Sequence, residues 1–226
     1  MDSFVITIDG PAGSGKTTTA RALAQRLNFD LLESGAIYRY LTWRLWREGK
    51  DIKDFTTENE LRRYLLALLS TLIVELTPQG TKLIYQEKEL AEELRQREVE
   101  ERVSLVSANP IVREMINVFL RGLVADKRVV TEGRDMGSVV FPEAKLKIYL
   151  TADIEVRAKR RYRDVNDRDF EAVLHNLTQR DTMDSQRGVA PLKKPEDAIV
   201  IDTTNLTVEE VVNMIMSLES LSRDEK

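Results

Sequence analysis

A chain of 226 residues, 42% hydrophobic and 32% charged, can bury a sizeable core while staying soluble, and its length suits one α/β domain with insertions. Its net charge of −4 argues against a nonspecific nucleic-acid binder, which would carry a basic excess. With no cysteine in the chain, disulfides, thiol catalysis and thiolate metal sites are excluded.

Phe4-Val5-Ile6-Thr7-Ile8 is a short apolar, β-branched run that predicts a strand. Only three residues precede it, so no signal peptide is expected ahead of it. It leads directly into Gly10-Pro11-Ala12-Gly13-Ser14-Gly15-Lys16-Thr17, which fits the phosphate-binding pattern G-x-x-x-x-G-K-[ST]. From Thr18 to Leu27 the apolar residues Ala20, Leu23, Ala24 and Leu27 fall on one helical stripe. Strand, glycine loop and helix in this order predict a nucleoside triphosphate site. The loop amides, from Gly10 through Thr18, can converge on phosphate oxygens at a helix N-terminus, where the helix dipole also favours an anion. Lys16 is expected to bridge the β and γ phosphates, and the Thr17 hydroxyl to coordinate Mg²⁺.

Phe29 to Leu32 predicts a second strand, and Ser34 can cap a helix whose Tyr38, Leu41, Thr42 and Leu45 share a face, stopped by Gly49. Thr57 with Glu60 predicts a capping box for a Leu-rich helix to about Leu69. Leu72 to Thr77, a Pro78-Gln79-Gly80 turn and Thr81 to Gln86 predict an antiparallel hairpin. The most apolar stretch, Leu65 to Leu76, contains Ser70, Thr71 and Glu75 and is too short to span a bilayer, so a cytoplasmic location without a membrane is expected.

Glu89 to Val106 reads as a charged helix, and Asn109-Pro110 supplies the cap and first residue of a helix carrying Val112, Met115, Ile116, Phe119 and Leu123. Strands are expected at Arg128 to Thr131, Lys145 to Leu150 and Ala198 to Ile201, with Asp153 capping the helix after the second of these. Thr207 with Glu210 boxes a last helix. The expected architecture is a five-stranded parallel sheet with helices on both faces. We expect one domain, with a core of 1–33, 126–160 and 191–226, an insertion at 34–125 carrying the hairpin, and an arginine-rich lid at 161–190. The segment from about 160 to 191 is expected to close over the donor, with Arg180 and Arg187 arriving only in the closed state; because its charges repel, the open form is expected to dominate when the site is empty.

Three polar clusters sit where ligands bind open α/β sheets, or next to them. Ser34 and Arg39, after the second strand, can hold a phosphate. Thr131-Glu132-Gly133-Arg134-Asp135-Met136-Gly137, after the third, gathers two acids and an arginine beside glycines, with structural salt bridging as the bland alternative. Arg157, Arg160 and Arg161, then Arg180 to Arg187, form a basic segment that could neutralise phosphates.

Gly10 to Lys16, Glu33-Ser34-Gly35-Ala36-Ile37-Tyr38-Arg39, Gly133-Arg134-Asp135-Met136-Gly137-Ser138-Val139-Val140-Phe141-Pro142 and Arg187-Gly188-Val189-Ala190-Pro191-Leu192 resemble the signature stretches of bacterial cytidylate kinases. The resemblance runs from about Val5 to Ile215. Glu33 stands where that family commonly carries aspartate, and Ser138 where threonine is more usual. The resemblance implies ATP-dependent phosphorylation of CMP or dCMP with Mg²⁺; a monomer is the default expectation, and the net charge of −4 leads us to expect no nucleic-acid partner. It implies that Ser34, Arg39 and Arg134 hold the acceptor phosphate, that Ser104, Arg113 and Asp135 face the cytosine, and that Arg180 and Asp184 reach ribose and phosphates. Arg157 and Arg161 would serve the donor side. Lys16, Arg134, Arg180 and Arg187 would act on the transferred group. His175, the single histidine, needs no catalytic role, since such a transfer requires no base. The alternatives are a kinase of UMP or another small acceptor, and a guanine-nucleotide switch; the latter would need an N-K-x-D stretch, which the sequence lacks.

Overall fold

The computed structural model describes residues 3–165, 169–186 and 188–223. β1 (Phe4–Asp9) runs through the glycine loop into α1 (Lys16–Leu27), then β2 (Asp30–Glu33) and α2 (Ser34–Arg47). Between β2 and the next strand of the main sheet lie α3 (Glu58–Ser70), β3 (Ile73–Thr77), β4 (Gly80–Tyr85), β5 (Lys88–Leu90), α4 (Arg97–Ala108) and α5 (Pro110–Val124). There follow β6 (Arg128–Gly133), β7 (Leu146–Thr151), α6 (Ile154–Val165), α7 (Phe170–Gln186), β8 (Ile199–Asp202) and α8 (Val208–Arg223).

The main sheet is five-stranded and parallel, in the order β2-β6-β1-β7-β8. Successive side chains on a strand leave on opposite faces, and both faces here are apolar. Val5, Leu32 and Val129 join one buried cluster with Leu41 of α2, Leu65 of α3, Val103 of α4 and Ile116 of α5. Their neighbours Ile6, Leu31 and Val130 join the other, with Leu23 of α1 and Val212 and Ile215 of α8. The elements between β2 and β6 therefore share one continuous core with the sheet. α6 and α7 instead pack on each other around Ala158, Val173 and Leu177.

Local signals account for most helix ends. The Asn109 side chain accepts from the Ile111 and Val112 amides at 2.9 and 3.1 Å, and Pro110 opens α5. Asp153 accepts from the Glu155 amide at 2.8 Å. Thr207 and Glu210 close a reciprocal box. Thr57 accepts from the Glu60 amide as expected, but the Glu60 carboxylate turns to Thr56 rather than completing the box.

Three local expectations need correction. Ser34 does not cap α2; Glu33 occupies the cap position without a side-chain bond, and the Ser34 hydroxyl donates to the Glu132 carbonyl at 2.8 Å. The hairpin gains a third strand, β5, through the pairing of Leu83 with Leu90. Consequently the helix expected from Glu89 begins only at Arg97. Among the described residues no single helix is long and apolar enough to cross a membrane.

Candidate active site

The glycine loop is pressed against its neighbours. A Cβ on Gly10 (φ +149°) would lie 2.0 Å from the Leu150 carbonyl oxygen, and one on Gly13 (φ +74°) 2.9 Å from that of Arg157. Glycine is what lets the loop turn this tightly beneath β7 and α6. The Ser14 hydroxyl donates to the Pro11 carbonyl at 3.0 Å, and Lys16 Nζ donates to the same oxygen at 2.7 Å. Lys16 is buried, which pushes its ammonium down to a pKa of about 7, with the nearby Arg134 charge adding to the effect. Thr17 and Thr18, on the first turn of α1, are exposed.

Mg²⁺ takes oxygen ligands and usually keeps waters, bound through one or two protein oxygens plus substrate phosphates. The described residues contain no cluster of three or more histidine, cysteine or acidic ligands. An exposed Thr17 hydroxyl beside the loop fits an ion delivered with a triphosphate.

Asp9, at the end of β1, accepts from the Met136 and Gly137 amides at 2.8 and 2.7 Å. Burial outweighs these two bonds and raises its carboxyl to about 6. Asp9 thereby fixes the turn that carries Arg134 and Asp135 to the base of the phosphate loop. Arg134 donates through Nε to Asp184 of α7 at 2.8 Å. Asp135 pairs with Arg113 of α5, both side chains being 2% exposed. Arg113 also donates to the Ser107 carbonyl at 3.1 Å, and its guanidinium lies 5.4 Å from the centre of the Tyr38 ring. Ser104 is half-buried on α4, where its carbonyl takes the Ser107 hydroxyl.

The basic segment folds in from the other side. Arg157 donates to the Ala152 and Ala12 carbonyls, each at 3.0 Å, and pairs with Asp181 of α7. Asp181 also accepts from the Ala12 amide of the phosphate loop at 3.3 Å. Arg39 donates to the Leu94 carbonyl at 3.1 Å and to Glu100 at 3.2 Å, while Arg161 binds both oxygens of the same Glu100 at 2.6 Å. Arg180 is half-buried, its Nε has no partner, and burial together with Arg134 pushes its guanidinium down to about 10. Arg187 lies outside the described residues. Acids offset the repulsion among these arginines: Asp181 meets the phosphate loop at Ala12, Asp184 meets Arg134, and Glu100 of α4 meets Arg161.

Residues 6–220 match the family model of cytidylate kinase. The chain belongs to the cytidylate kinase family. It is 40% identical over 225 residues to cytidylate kinase of Carboxydothermus hydrogenoformans, covering 97% of this chain and 98% of that protein. To cytidylate kinase of Azotobacter vinelandii it is 42% identical over 227 residues, covering 97% and 96%. A crystal structure of an uncharacterized protein from Eubacterium ventriosum covers 96% of this chain and 98% of its own, with a TM-score of 0.51 and 15% identity, a likeness of fold alone.

Within this cytidylate kinase framework, several residues at the site gave no sequence signal of their own. Asp9 precedes the glycine motif, and only the fold brings it to the Met136 turn. Glu100 and Asp181 look like solvated acids on helix faces until α4 and α7 meet. Glu33 accepts from Arg21 at 3.0 Å and from the Thr81 amide at 3.2 Å, and the Thr81 hydroxyl donates to the Leu31 carbonyl at 2.8 Å. Burial raises the Glu33 carboxyl above its usual range. In this chain Glu33 ties the small sheet to the edge of the main one.

Proposed function

We propose that this protein transfers the γ-phosphoryl group of ATP to CMP and dCMP, giving ADP and CDP or dCDP. The observation that supports this best is the buried Asp135–Arg113 pair beside the phosphate loop. Cytosine offers an amino group at C4, which a carboxylate accepts, and ring acceptors at N3 and O2, which a guanidinium can serve. Uracil would set its O4 against the Asp135 carboxylate, acceptor to acceptor, and a site of this kind discriminates by leaving buried polar groups unpaired.

In this reading residues 34–125 form the acceptor-binding insertion and 161–190 the lid. Ser34, Arg39 and Arg134 hold the acceptor phosphate, Ser104 joins Arg113 and Asp135 at the base, and Asp184 and Arg180 reach ribose and phosphates. Gly10 to Thr18 cradle the donor, with Arg157 and Arg161 above it. Thr17 would hold Mg²⁺ on the protein side, and the ion would supply positive charge that neutralises the phosphates. Transfer then depends on alignment and on the positive charge of Lys16, Arg134, Arg180 and Arg187, with no proton abstraction required. His175 is exposed, with Nε2 2.8 Å from the Gln179 side-chain nitrogen, and takes no part. A cytoplasmic monomer without nucleic-acid partners belongs to the same proposal, and the net charge of −4 supports the last point.

An assay of ADP release with CMP, dCMP, UMP and AMP as acceptors tests the reading. CMP and dCMP should be the preferred acceptors. Turnover of UMP as fast as CMP would overturn the base assignment, and transfer to none of the four would overturn the kinase assignment.

A further inference from the structure

Glu100 meets arginines from two parts of the molecule that must approach each other during a transfer. Arg39 comes from α2 on the acceptor side, and Arg161 from α6 at the root of the lid. Arg180 of α7 lies close enough for its charge to act on the same carboxylate. Burial alone would push the Glu100 carboxyl up, but Arg161 and Arg39 outweigh it and hold it below the ordinary range. The three guanidinium groups disfavour one another, since Arg161 acts on Arg39, and both act on Arg180.

An isolated exposed ion pair would contribute little. This one is a network: about 30% of the Glu100 side chain is exposed, and four donor contacts link Arg39 and Arg161 to Glu100 and to the Leu94 carbonyl. Without the carboxylate, bringing α6 and α7 to α2 and α4 would set arginine against arginine.

We infer that Glu100 is a positioning residue that latches the lid to the acceptor-binding insertion, so that donor and acceptor binding reinforce each other. The inference rests on the proposed function, in which Arg39 serves the acceptor and Arg161 the donor. Closure driven by either nucleotide forms the Glu100 bridge and presents the arginine needed by the other. Such coupling is reciprocal: whatever ATP does to CMP affinity, CMP does to ATP affinity.

The test is the dissociation constant of CMP with and without a nonhydrolysable ATP analogue, measured on the full chain. The wild type should bind CMP roughly fivefold or more tightly in the presence of the analogue. Glu100→Gln, which keeps the shape and loses the charge, should bring that ratio to within about twofold of unity. Glu100→Asp should recover part of it, and it carries the test if the Gln variant does not fold. A ratio unchanged in the variants overturns the latch, including the case in which both constants worsen together. A wild type that phosphorylates CMP without any such coupling overturns it too. A wild type that does not bind CMP overturns the function itself instead.

Discussion

The segment between β2 and β6, proposed as the acceptor-binding insertion, and helices α6 and α7, proposed as the lid, meet at Glu100, yet they are held by different forces. Leu41, Leu65, Val103 and Ile116 of the insertion share an apolar cluster with Val5, Leu32 and Val129 of the sheet. Among the described residues α6 and α7 bury Ala158, Val173 and Leu177 between them, and they reach the rest of the molecule through Arg134–Asp184, Arg161–Glu100 and the hydrogen bonds of Arg157 and Asp181 to Ala12. In the proposed function the part that moves is fastened by charge, and the part that presents the base is fastened by burial.

The ion pair between α5 and the turn after β6 gives the largest effect. Asp135→Ala leaves Arg113 charged and buried without its partner, which should cost about 3–5 kcal/mol of stability in urea denaturation. The kcat/KM for CMP should fall by about 1–3 kcal/mol, and that for UMP by less. If the CMP preference survives this change intact, the base is read elsewhere. Next comes Lys16→Ala, which should lower kcat roughly 10²-fold or more while leaving the unfolding midpoint close to the wild type, because Lys16 serves the loop and not the core. A folded variant with near-normal kcat would remove the phosphate loop from the mechanism.

A smaller effect is pH-dependent. The Lys16 pKa lies at about 7 in the folded chain, against an ordinary 10.5. As pH rises through 7 its charge is lost, so ATP affinity in equilibrium titrations should weaken between about pH 7 and 9. Over the same range the unfolded chain binds more protons at this site than the folded one, so this group's contribution to stability rises with pH. ATP affinity that stays flat across the range would show that Lys16 keeps its charge.

The insertion was also the less legible of the two regions, and the reason is physical. β1, the glycine loop and α1 could be read directly, because backbone geometry and phosphate chemistry dictate each residue. Asn109-Pro110 marked the start of α5 through local capping alone. β5 could not be read, since Lys88-Glu89-Leu90 is too short and charged to announce a strand and exists through its pairing with β4. Ser34 looked like a cap because serine suits that position, but the nearby Glu132 carbonyl claims its hydroxyl. At the site, the arginines were visible as clusters, whereas their partners Glu100 and Asp181 acquire meaning only when distant helices meet. The sequence therefore disclosed the phosphate-binding charges but not the acids that position them.

Hydrogen exchange of α7 against α3 and α5, followed as ionic strength rises, tests the division between the two regions most directly. The Arg161–Glu100 pair, about 30% exposed on both sides, is weakened by salt, while apolar burial is not. From roughly 0.05 to 0.5 M salt the amides of α7 should exchange faster, with α3 and α5 unchanged, and ATP with CMP should restore protection to α7. Salt that leaves α7 as protected as before, or that opens α5 together with it, would contradict the account.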